Sequence, residues 1–99
     1  MKILQNIKKN RDKLSEIKNG NSVKTIIINA DKSLITAICD CIYNIINGNV
    51  SIDSNIFSEL SKKKNILREI THKSSLKNKK HLLLKIQHLL PKIVLVCIE

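Results

Sequence analysis

"DKSLITAICDCIYNIIN", residues 31–47, is the stretch whose reading decides how this 99-residue chain folds. Ile35, Ile38, Cys39, Ile42, Ile45 and Ile46 recur at the i, i+3, i+4, i+7 spacing of one helical face. Leu34, Ala37 and Cys41 widen that apolar arc, which leaves Thr36, Asp40, Tyr43 and Asn47 as a narrow polar strip. A helix this apolar around its circumference must be covered by others, so it belongs in the middle of a bundle. Asp31 suits the N-cap, where a carboxylate accepts from the first free amides, and Gly48 ends the pattern. Cys39 and Cys41 flank Asp40 and look at first like a metal or redox site. On a helix, however, residues two apart point about 200° away from one another around the axis. That geometry suits neither a chelate nor a dithiol, and both cysteines read as small core hydrophobes.

Upstream, Ile3, Leu4, Ile7, Leu14 and Ile17 form a helical stripe within residues 2–18, with the charged residues largely off it. Gly20, in "NGN" at 19–21, suits the left-handed residue after a helix end. Ser22 is placed to cap a second segment carrying Val23, Ile26 and Ile27 at helical spacing, although "TIII" is also good strand material. Downstream, Asp53 and Ser54 are cap residues ahead of a stripe of Ile56, Phe57, Leu60, Leu67 and Ile70. Ser75 is the next cap, leading a helix from Leu76 to about Leu90 with Leu76, Leu83, Ile86 and Leu90 on one side. Pro91 ends the helical pattern and leaves "KIVLVCIE" as an apolar, β-branched tail. The tail is expected to lie over the bundle, to pair as an edge strand or to stay loose.

Composition supports one aliphatic core. Hydrophobic residues make up 42% of the chain but aromatics only 2%, so Ile and Leu must fill the interior. Residues 82–98 are slightly short for a membrane span and are interrupted by Lys85, His88, Pro91 and Lys92. Three cysteines and an N-terminus without an apolar signal core set the expectation of a reducing, intracellular location.

Charge is the main departure from the average. Eighteen Lys and Arg against eight Asp and Glu give +10 at pH 7, a balance that attracts polyanions. AT-rich codons also produce an excess of Ile, Asn and Lys, so the total does not by itself assign a partner. Its distribution says more. Residues 1–30 carry net +5, residues 31–57 net −2 and residues 58–99 net +7. Lys62, Lys63, Lys64, Arg68, Lys73, Lys77, Lys79 and Lys80 make the best candidate site, a lysine-rich surface that neutralises phosphates without reading bases. The competing reading is a solvated helix face. Few arginines and aromatics argue against base readout and single-strand stacking. Lys77, Lys79 and Lys80 crowd a helix start, where the dipole disfavours cations, which hints at a use other than local stability.

No catalytic constellation stands out. Gly20 and Gly48 are the only glycines, so no phosphate-cradling loop exists, and the carboxylates show no tight pairing. His81 and His88 share a helix face, but with Cys97 they make three ligands at a spacing that fits no zinc motif. The expectation is a non-enzymatic protein with no cofactor and no metal.

"NADKSLITAICDCIYNIINGNVSI", residues 29–52, followed at 60–86 by "LSKKKNILREITHKSSLKNKKHLLLKI", resembles a small basic protein of Maverick/Polinton mobile elements and their adintovirus relatives. The resemblance lies in the order of features over residues 22–87: a helix at "ADKSLI", a cysteine–acidic stretch running into "NIINGNV", a lysine-rich helix, a break at Ser75-Leu76 and a final Lys/Leu helix. "NGNV" is its most specific part. In such proteins the last helix leads into Gly-Gly and an apolar tail, and here the Gly-Gly is absent. The resemblance implies a virus-like origin, a minor virion or genome-associated role, and a location in the nucleus or virion.

The reading is therefore an all-α, compact bundle of four to five short helices around a central apolar helix at about 31–47. Residues 1–90 form the domain and residues 91–99 an apolar C-terminal tail. The expected partner is nucleic acid, most simply duplex DNA bound non-specifically. The alternative is a protein-interaction or self-assembly module, a homo-oligomer included, that uses exposed aliphatic residues and the tail. A membrane-active C-terminal region ranks third.

Overall fold

Apolar periodicity of 3.6 dominates the chain, and the computed structural model, which describes residues 7–48, 52–72 and 75–98, is all-α, with no strand among them. The helices are α1 (Arg11–Lys18), α2 (Val23–Asn29), α3 (Lys32–Ile46), α4 (Ser54–Lys62), α5 (Lys64–Thr71), α6 (Leu76–Lys85) and α7 (Leu90–Ile98), and a helical turn at 7–9 precedes them. The radius of gyration, 12.0 Å, is close to the ~13 Å of a folded 100-residue domain.

The central helix lies where the 31–47 pattern puts it. Leu34, Ile35, Ala37, Ile38, Cys39, Cys41 and Ile42 are all buried, while Tyr43 and Asn47 are exposed and Thr36 and Asp40 half-buried. Helices α5, α6 and α7 pack on α3. Helix α7 is held between α3 and α1, α2 bridges α1 and α6, and α5 leans on α6. The interior is aliphatic, with Leu14, Ile17, Ile27, Ile70, Leu83, Ile86, Ile93 and Val94 among the side chains withdrawn from solvent. Among the described residues no polar side chain is buried, so the core incurs no desolvation cost beyond its backbone.

Local rules explain most helix ends. Asp31 Oδ1 accepts from the Leu34 amide at 2.9 Å, Asp53 Oδ1 from Ile56 at 2.8 Å and Ser75 Oγ from Asn78 at 3.1 Å. Gly20, at φ +76°, closes α1 in a Schellman arrangement: its amide donates to Ile17 O, and the Asn21 amide donates to Glu16 O. Ser22 precedes α2 as expected, but at φ 49° its hydroxyl makes no cap bond. "TIII" is helical because Val23, Ile26, Ile27 and Ala30 share one face, with Ile27 fully buried.

Two features depart from the expectation. The lysine-rich segment is broken at Lys63, whose φ of −111° and ψ of 20° make it the end of α4 and the start of α5. The break lets Leu60 on one side, and Leu67 and Ile70 on the other, all be buried. This bend and a helical C-terminus raise the number of helices above the four or five expected. Residues 91–98 also do not form a separate tail. Pro91 is the second residue of α7, a first-turn position where the missing N–H costs nothing, and Leu90, Ile93 and Val94 enter the core. Pro91 opens a helix instead of closing one.

Candidate nucleic-acid interface

The eight expected cations do not share one environment. Lys62, Lys64 and Arg68 are exposed on the α4–α5 pair, and Lys63 is half-buried at its bend. Lys73 lies outside the described residues. Lys77 is exposed in the first turn of α6, whereas Lys79 and Lys80 are partly buried. None of Lys62, Lys63, Lys64, Arg68 and Lys77 has an acidic partner among the described residues, in contrast to Lys92, whose Nζ lies 2.7 Å from Glu59 Oε2.

Part of the α6 charge has a structural use. Lys80 Nζ donates to Ile28 O at 2.9 Å, so the cation sits on one of the last carbonyls of α2, where the helix dipole favours it. The charge that is misplaced for α6 is well placed for α2. Lys79 lies close enough to Cys39 to favour its thiolate, but burial outweighs it, with Asp40 opposing Lys79, and the Cys39 thiol is pushed up to about 11. Cys39 is thus an unreactive core residue, as its position on α3 implies. The N-terminal half of the α6 cluster is therefore Lys77 alone on the open surface, and the strongest exposed group is Lys62, Lys64 and Arg68.

Beside that group lies a surface feature the sequence did not signal. Where α3 runs out of the core, Ile45, Ile46, Phe57, Leu60 and Leu67 line a groove of about 300 Å³, with Lys64 and Arg68, one helical turn apart, along it. Phe57, a member of the apolar stripe, is 62% exposed. The available signal was its register: Phe57 lies at the rim of the apolar arc, about 100° from Ile56 and about 60° from Leu60. Ile46, 42% exposed, continues the apolar wall.

Among the described residues no group of three His, Cys, Asp or Glu side chains converges on a point that would hold a metal ion. No single helix there is long and apolar enough to cross a membrane. Helices α6 and α7 satisfy the length and composition only together and are bent by 106° between them, with Leu82, Leu83, Leu90, Ile93 and Val94 turned into the core. In comparisons with known proteins, no family, no curated protein and no solved structure matches this chain.

Proposed function

We propose that this chain is a non-enzymatic, nucleic-acid-associated protein of mobile-element or virus-like origin that coats duplex DNA through its lysine-rich helices. The observation that carries the reading is the exposed set Lys62, Lys64 and Arg68, joined by Lys63 and Lys77, with no acidic partner among the described residues. Asp31 and Asp53, by contrast, are used as caps and Glu59 is paired, so much of the chain's scarce negative charge is committed elsewhere. Cations held on rigid helices and left uncompensated favour phosphate contacts and counterion release. The origin rests on the Maverick/Polinton-like order of features around "NGNV".

Titration onto duplex DNA at two salt concentrations tests this reading. Five phosphate contacts give a log–log salt slope of about −4.5, hence a loss of roughly 500-fold between 50 and 200 mM salt. Replacing Lys62, Lys64 and Arg68 by Gln should make the slope shallower by about 3 while circular dichroism stays unchanged. A slope unmoved by the triple substitution would exclude this surface.

The groove favours a second reading, a protein-interaction module whose partner presents an apolar helix flanked by carboxylates. Lys64 and Arg68 beside an apolar channel complement such a helix, and they disfavour a second copy of a +10 chain. A synthetic Leu/Phe amphipathic peptide with Glu flanks should bind, its Lys-flanked counterpart should not, and Phe57→Ser should weaken binding by about 30-fold. Equal binding of both peptides, or indifference to Phe57→Ser, would dismiss the groove. Leu90, Ile93 and Val94 of α7 lie in the core, so of the large hydrophobic residues at 91–98 only Leu95 is exposed for such a surface.

A further inference from the structure

Cys41 has a thiol partner that its neighbour Cys39 could not be. Cys97, which is 56 positions away in sequence, packs against the core cluster that holds Cys41, close enough for each thiol to shift the other's titration. The contact is built by the fold, since α3 carries Cys41, α7 carries Cys97, and the two helices pack directly on each other. Both thiols are free, and they differ in access: Cys41 is fully buried, and Cys97, near the end of α7, is only partly covered.

We infer that Cys41 and Cys97 are a redox-active pair that a peroxide-class oxidant converts to a disulfide, fastening α7 to α3. The roles follow from the surroundings. Cys97, partly open to solvent near the end of α7, is the thiol an oxidant reaches first and so the attacking one, and the fully buried Cys41 is the resolving thiol. The directions of titration agree: the Cys41 and Asn44 side chains lower the Cys97 thiol, while Cys97 and burial raise that of Cys41. The Cys97 thiolate takes one oxygen from hydrogen peroxide and releases hydroxide, giving a sulfenic acid. The Cys41 sulfur then displaces that oxygen as water, with its own proton and the one already on the sulfenic oxygen. The sum is two thiols and one peroxide to one disulfide and two waters. Cys39, on another side of α3 and held protonated, takes no part.

Peptide mapping of the full-length protein after treatment with stoichiometric hydrogen peroxide tests the pair. The expected product is a monomer lighter by about 2 Da, with one free thiol left at Cys39 and a Cys41–Cys97 cross-link that dithiothreitol reverses. Slower amide exchange in α7 should accompany it. The variant Cys41→Ser should leave a sulfenic acid at Cys97 that dimedone traps, and Cys97→Ser should leave Cys41 unmodified. The wild-type map stands whether or not either variant folds. Linkage through Cys39, covalent dimers, or three thiols surviving oxidation would each overturn the inference.

Discussion

A chain that stops at Leu89, before α7, will not fold. Helix α7 carries Leu90, Ile93 and Val94 into the core and is the element that covers α1 and α3 together. Its removal eliminates three fully buried aliphatic side chains, each stabilising by about 1.5–3 kcal/mol. It also returns to solvent the faces of α1 and α3 that it packs on, on helices whose buried residues include Leu14, Ile17 and Ile42. The combined loss exceeds about 5 kcal/mol, comparable to the whole stability of a domain of this size. Circular dichroism and amide proton dispersion check the outcome: the truncated chain should show weak helicity and no cooperative melt. A truncated protein that melts cooperatively near the full-length temperature would return residues 90–98 to the status of a dispensable tail.

What was legible in the sequence follows the reach of each physical rule. The central helix was legible because its evidence is local and redundant. Six apolar positions between Ile35 and Ile46 agree on one face, and Asp31 and Gly48 mark its ends. The caps at Asp53 and Ser75 were readable for the same reason, since a side-chain oxygen three positions before a free amide needs no tertiary information. Pro91 shows where locality runs out. A proline after a turn both stops one helix and opens the next, and only the availability of α1 and α3 to cover Ile93 and Val94 decides for the second. Lys63 marks a bend with no turn residue, made worthwhile by burying Leu60, Leu67 and Ile70 together.

The candidate site divides along the same line. Exposure of Lys62, Lys64 and Arg68 followed from helical register, whereas the use of Lys80 depends on a carbonyl 52 positions away. In the sequence the adjacent cysteines are Cys39 and Cys41, and helix geometry forbids a redox pair between them. The partner that satisfies Cys41 comes from the far end of the chain, and no spacing rule connects them.

Ile38→Ala will separate the core of the central helix from its emerging end. Ile38 is completely buried, near the middle of the helix against which α5, α6 and α7 pack. Truncating it removes three methyl or methylene groups and leaves a cavity that surrounding helices close only in part, a loss of about 3–5 kcal/mol. Against a total stability of about 5–15 kcal/mol, that is enough to lower the urea midpoint sharply or to unfold the protein outright. Ile46→Ala, the same chemical change two turns later, should cost less than about 1 kcal/mol, because Ile46 is 42% exposed and faces the groove. The two unfolding curves, measured under identical conditions with unchanged m-values, give the comparison. Equal losses at the two positions would mean that the end of α3 is buried by another surface in solution, and a small loss at Ile38 would mean that α3 is not the centre of the bundle. Because the groove begins where this burial gradient ends, the pair of measurements also locates the boundary between the residues that hold the fold and those left free to meet a partner.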